Sequence, residues 1–119
     1  MDNISDKRVR EKVFKKYNGC CAYCGVLLKD RFTIDHLIPK RRYNTNKEHG
    51  KDEISNYMPC CHSCNSLKCN LELEEFRGMI ERKQTVLKRD SASYRALLRF
   101  NMIEEKHSPL VFFFEGGLK

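Results

Sequence analysis

The sequence predicts a small α+β fold gathered around a cysteine-held metal ion. Three observations point there. Apolar residues recur at helical spacing near the N-terminus and again in the second half, two short β-branched or aromatic runs are each followed by proline, and two Cys-x-x-Cys pairs bracket those runs. A chain of 119 residues suits one domain, 1–119, and buries roughly two thirds of the surface its unfolded form exposes.

Ser5 is a candidate cap for a first helix through about Tyr17, because Val9, Val13, Phe14 and Tyr17 recur at steps of three and four. Asn18-Gly19 ends it with turn chemistry, and Cys21-Ala22-Tyr23-Cys24-Gly25 reads as a tight knuckle. Arg31 to His36 has strand composition and Pro39 stops it. From Lys40 to Lys51 the chain is polar and aperiodic, a loop. Ile54 to Met58 forms a second strand closed by Pro59, and a helix starts near Cys61 or His62 with Cys64, Asn65 and Lys68 in its first turns. Asn70 can cap a helix from Leu71 to about Lys88, with Leu73, Phe76, Ile80 and Leu87 on one face and Gly78 weakening it by about 1 kcal/mol relative to alanine. Asp90 can cap a last helix carrying Tyr94, Leu97 and Leu98, and these C-terminal helices are expected to close the apolar side. Leu110 to Phe114, introduced by Pro109, reads as a buried strand because it would aggregate if exposed, and residues 116–119 read as a frayed tail.

Composition narrows the classes of function. Hydrophobic residues make up 40% and charged residues 33%, the profile of a globular protein. No apolar stretch approaches the roughly 18 residues that span a bilayer, and the first residues lack the apolar centre of a signal peptide, so a cytoplasmic protein with no membrane partner is expected. Against 16 acidic side chains stand 23 basic ones, a formal charge of +7. Such a surplus suits a polyanionic partner, though it also serves plain solubility. Lys7, Arg8, Arg10, Lys12, Lys15 and Lys16 crowd the first helix, either as solvated surface or along a phosphate backbone.

Seven cysteines leave at least one unpaired in any disulfide scheme, and spaced pairs in a reducing compartment more often hold metal. Cys21-x-x-Cys24 and Cys61-x-x-Cys64 each allow two thiolates from one turn to reach a tetrahedral Zn²⁺. The 36 residues between them house the strand, loop and strand. Cys20 and Cys60 offer rival registers, His62 a mixed ligand set, and disulfides a further alternative, while Cys69 falls outside both knuckles.

Between and within the knuckles lie Asp35-His36-Leu37-Ile38-Pro39, then Asn56, then Cys64-Asn65-Ser66-Leu67-Lys68. Over about residues 20 to 69 the sequence resembles the HNH endonuclease family, specifically its four-cysteine zinc branch, whose pattern runs CxxC, DHxxP, N, CxxCNxxK. Asn65 stands where the family's third signature residue is often histidine, which makes this an HNN variant. The resemblance implies a ββα-metal (His-Me finger) core stapled by the four-cysteine zinc, flanked by the N-terminal helix and the C-terminal helices. It also implies metal-dependent hydrolysis of DNA, most readily double-stranded, and a phage, prophage or mobile-element setting.

The residue types suit that chemistry. Phosphodiester hydrolysis needs a base for water, a Lewis acid at the phosphate and a group that holds the base. Imidazole is the side chain suited to exchanging a proton near neutral pH, and His36 is the candidate base. Asp35 and Asn65 offer oxygen ligands suited to Mg²⁺ or Mn²⁺. Consecutive strand residues face opposite ways, so Asp35 and His36 are expected to leave regular strand geometry to serve one site. By the resemblance, Asn56 hydrogen-bonds the inter-strand loop and orients His36. Lys68, one turn beyond Asn65, looks placed to meet a phosphate, and Lys40, Arg41 and Arg42 directly follow the active strand as candidate DNA-backbone contacts. The alternatives are a zinc-dependent DNA-binding module without catalysis, a zinc protein that docks other proteins through Leu110 to Phe114, and an RNA substrate.

Overall fold

The computed structural model describes residues 1–40 and 48–117, which group into two compact units. The first comprises Met1–Leu73 with the C-terminal segment from Val111, and the second Glu74–Leu110.

In the first unit, α1 spans Lys7–Lys15 and is capped by Asp6, not Ser5: the Asp6 carboxylate accepts from Arg8 N at 2.8 Å, while Ser5 N is tied back to Asn3 Oδ1 at 2.8 Å. The helix ends two residues earlier than its periodicity suggests. Asn18 (φ 55°) and Gly19 (φ 77°) then turn the chain through left-handed backbone, and a Cβ on Gly19 would come within 2.9 Å of the Phe14 ring. Val13, Phe32 and Tyr57 form the core here, with Val9, Phe14, Leu28, Ile34 and Ile54 packed around them. Two of the basic residues of α1 and its end serve the fold. Arg10 lies 4.3 Å from the Phe32 ring centroid and donates to Phe32 O, and Lys16 Nζ donates to Ile54 O and Tyr57 O.

Strand β1 (Thr33–His36) pairs antiparallel with β2 (Tyr57–Cys60) in the register Thr33↔Cys60, Ile34↔Pro59, Asp35↔Met58, His36↔Tyr57. Both strands are shorter than predicted, and the second is shifted. Ile54–Asn56 forms a 3-10 turn instead of strand, and Pro59 lies inside β2 rather than ending it. The Leu37 N–H to Asn56 O bond (2.9 Å) brackets the His36↔Tyr57 pair, so the ladder's alternation points the Pro59 nitrogen away from β1, where no donor is needed. Its carbonyl points the same way and accepts from Ala22 N at 2.8 Å. Helix α2 (His62–Lys68) follows at once, its N-cap being Cys61, whose Sγ accepts from Cys64 N at 3.4 Å.

The apolar C-terminal run is not a strand. Phe113 N and Phe114 N bond to Tyr23 O (3.1 Å) and Ala22 O (2.8 Å), and Phe112 is buried with its ring edge-on to Tyr23. The knuckle is a turn with two carbonyls to offer, so the segment docks briefly and closes as a 3-10 turn over Phe113–Glu115. Gly117 N bonds to Phe112 O, so the chain is tied down to that residue rather than frayed.

The second unit contains most of α3 (Leu73–Glu81), with α4 (Lys83–Asp90) and α5 (Ala92–Arg99). The single helix predicted over 71–88 is therefore two, interrupted at Arg82 (ψ −8°). Ser91 rather than Asp90 caps α5, accepting from Tyr94 N at 3.1 Å, because Asp90 still belongs to α4 and pairs with Arg89. Among the described residues no helix is long and apolar enough to cross a membrane.

Candidate active site and cysteine cluster

The knuckle and the start of α2 bring Cys21, Cys24, Cys61 and Cys64 together, their sulfurs all within 4.8 Å of one another. The Cys21–Cys24 turn closes through Gly25 N to Cys21 O (3.0 Å), with Gly25 left-handed at φ 78°. Cys24 and Cys61 Sγ are 3.8 Å apart, matching the separation of about 3.8 Å between tetrahedral ligands at Zn–S distances of about 2.3 Å. The set can therefore hold one zinc ion. All seven cysteines are free thiols. Cys60, buried in β2, turns its sulfur to Cys61 O, Cys20 turns to Asn18 O, Cys69 is exposed, and His62 Nε2 lies on Arg31 O at 3.0 Å. The Cys21 thiol is shifted down by hydrogen bonds from Cys60 and Cys64, and the Cys64 thiol is pushed up by its bond to Cys21 and by burial. A divalent ion bound there would stabilise the thiolate form of the ligating cysteines.

The knuckle and α2, together with β1, build the site beside it. Asp35, 6% exposed, receives Lys68 Nζ at 3.0 Å and the Tyr23 hydroxyl at 2.5 Å, both on Oδ2. Lys68 is wholly buried, donates also to His36 O at 3.2 Å and sits 5.9 Å from the Tyr23 ring centroid. Burial and the neighbouring Asp35 carboxylate push the Tyr23 hydroxyl well up, which keeps it a donor. The sequence places Lys68 at a phosphate, but its burial and its two internal partners remove it from any such surface. Oδ1 of Asp35 has no hydrogen-bond partner among the described residues.

His36 is the last residue of β1 and, without the departure from strand geometry expected from the sequence, takes a different hydrogen-bond partner from Asp35. Its Nε2 lies 2.9 Å from Asp52 Oδ1, and Lys40 Nζ lies 3.0 Å from Asp52 Oδ2. The Tyr57 ring stands edge-on to the imidazole at 5.3 Å. Hydrogen bonds from His36 and then Lys40 hold the Asp52 carboxyl below its ordinary range. Asn56, 8% exposed, clamps both ends of the inter-strand loop: Oδ1 accepts from Ile38 N at 2.9 Å, and Nδ2 donates to Ile38 O and Lys51 O at 3.1 Å each.

One open cleft of about 250 Å³ is lined by Asp35, His36, Asn65, Lys40, Pro39 and Cys69, together with Ile34 and Asn70. Three candidate site residues from β1 and α2 thus border the same space, with Lys40 at its edge. Arg41 and Arg42 lie outside the described residues. Sequence reasoning missed Asp52 and Tyr23. No motif marks Asp52 in its polar loop, whereas Tyr23, lying between two clustered cysteines, could have been expected to face whatever the knuckle packs against.

A hairpin followed directly by a helix, with a histidine at the end of the first strand and four cysteines joining hairpin to helix, defines a cysteine-stapled ββα protein. Residues 21–71 match the family model described as HNH endonuclease. An 81-residue stretch is 35% identical to YoqL of Bacillus subtilis (strain 168), whose name assigns it to the SPbeta prophage and to the HNH endonucleases. That match covers 62% of this chain and 33% of the relative, so the chain spans about a third of that protein's length. No solved structure matches. Over residues 21–71 the chain thus carries the sequence pattern of the HNH endonuclease family, supported by both the family match and the Bacillus relative.

Proposed function

We propose that this protein is a metal-dependent endonuclease that hydrolyses DNA phosphodiester bonds. The observation that carries the reading is the shared cleft of Asp35, His36 and Asn65, which lies inside the family match. His36 is the general base that takes the proton of the attacking water. Asp35 and Asn65 hold Mg²⁺ or Mn²⁺: both are hard oxygen donors on the cleft, and Asp35 keeps Oδ1 available while Lys68 and Tyr23 fix Oδ2. Bound there, such an ion supplies Lewis acidity to the phosphate and the leaving oxygen. The four-cysteine zinc is structural. Lys40 contacts the DNA backbone, and Arg41 and Arg42 follow it in sequence. Double-stranded DNA fits the charge of +7, and the name of the Bacillus relative favours a phage or prophage origin with action in the host cytoplasm.

A supercoiled-plasmid assay with Mg²⁺ or Mn²⁺ tests this, with wild type beside His36→Ala and zinc measured separately. Nicking or linearisation that the substitution nearly abolishes, at one zinc per chain in both, is the expected result. Equal cleavage by the variant removes His36 from the mechanism. DNA binding without cleavage under either metal favours the non-catalytic module.

A further inference from the structure

The His36–Asp52 contact specifies more than proximity. A carboxylate only accepts hydrogen bonds, so at 2.9 Å from Asp52 Oδ1 the Nε2 of His36 carries the proton, and a neutral ring then has its lone pair on Nδ1. The carboxylate is itself constrained. Lys40 Nζ holds Oδ2 at 3.0 Å, Asp52 O accepts from Asp2 N at 2.8 Å, and the preceding residue, Lys51, offers its carbonyl to Asn56 Nδ2 at 3.1 Å. The Asp52 and His36 side chains are only 19% and 18% exposed, so water competes weakly for their bond. Tyr57 stands edge-on beside the imidazole at 5.3 Å.

We infer that Asp52 is the positioning residue of His36, selecting the Nε2–H tautomer and so making Nδ1 the nitrogen that accepts the proton in the cleft. Asn56 acts at one remove, by pinning Lys51 and with it Asp52. The catalytic part of this inference rests on the nuclease reading above, whereas the tautomer part does not.

The test combines ring ¹⁵N NMR with kinetics on the zinc-loaded full chain. The His36 signals are assigned against His36→Gln and recorded above the imidazole titration. Wild type shows the Nε2–H form, Asp52→Ala a mixture of tautomers, and Asp52→Asn, whose side-chain carbonyl still accepts, restores Nε2–H. On plasmid DNA, Asp52→Ala lowers kcat by about 10- to 100-fold, by analogy with metal-bound histidines that lose the partner fixing their tautomer. KM should change less than kcat, and only through the release of Lys40, which Asp52 Oδ2 holds in the wild type. Asp52→Asn falls between it and wild type. A wild-type ring protonated on Nδ1, or an Asp52→Ala variant with unchanged tautomer and kcat, overturns the assignment. If wild type cuts no DNA, the nuclease reading fails and the NMR result alone decides the role of Asp52.

Discussion

Lys68, with none of its side chain exposed, holds its ammonium 3.0 Å from Oδ2 of Asp35, the acid that precedes the candidate base. Taking either charge out of water is costly, and the pair, with Tyr23 and the His36 carbonyl, satisfies both. The cation that a surface reading assigns to DNA is thus an internal counter-ion of the site.

Removing that counter-ion should be severe. Lys68→Met leaves a buried carboxylate with Tyr23 as its remaining donor and should cost about 3–5 kcal/mol in denaturant unfolding of the zinc-loaded protein. Adding Asp35→Asn should recover more than half of the loss, because no charge is then stranded. A single variant within about 1 kcal/mol of wild type would show that the pair contributes little.

Zinc should be inseparable from the fold. Chelation should abolish the native circular dichroism, as it does where metal binding supplies about 10–16 kcal/mol in small zinc domains. Cys61→Ser should lose the ion while Cys20→Ser keeps one zinc per chain, since only Cys61 lies in the cluster. Zinc affinity should fall with pH, because the Cys64 thiol, pushed up in the metal-free cluster, must be deprotonated to bind. Retained zinc in Cys61→Ser would move the site to another register.

Asn56→Ala breaks three hydrogen bonds at a nearly buried position and should destabilise by about 1–3 kcal/mol. Hydrogen exchange locates the effect: the amides of Ile38 and Gly50, bonded to Asn56 Oδ1 and Pro39 O, should exchange faster than those of α1. Uniform acceleration throughout the first unit would indicate general destabilisation instead of a local clamp.

Asp52 gives an acid-side signature. Its carboxyl is held low in the folded protein, so its contribution to stability is present above the ordinary carboxylate range and is lost as pH falls through the depressed value. Lys40→Met removes one of the two hydrogen bonds responsible and should move the Asp52 carboxyl back up toward that range in a ¹³C NMR titration. An unmoved titration would mean that His36 alone sets it.

Much of this site could be read along the chain because its chemistry is local. Each CxxC spacing marks two thiolates that one turn can offer to a single ion, and the order of Asp35, His36, Asn56 and Asn65 around them carries the family resemblance. Helix existence was equally legible from periodicity, but its ends were not. Ser5 and Asp6, or Asp90 and Ser91, are chemically comparable caps, and the choice between them depends on which side chain the preceding turn has already engaged. Pro59 argues for a strand end until the ladder shows that its nitrogen faces away from the partner. Only the tertiary structure decided that Lys68 turns inward to Asp35, that Phe112 to Phe114 dock on a knuckle instead of forming a strand, and that Asp52, 16 residues from His36, receives its imidazole. Each is a pairing between segments distant in sequence, and the burial and charge balance that select such partners exist only once the chain has closed.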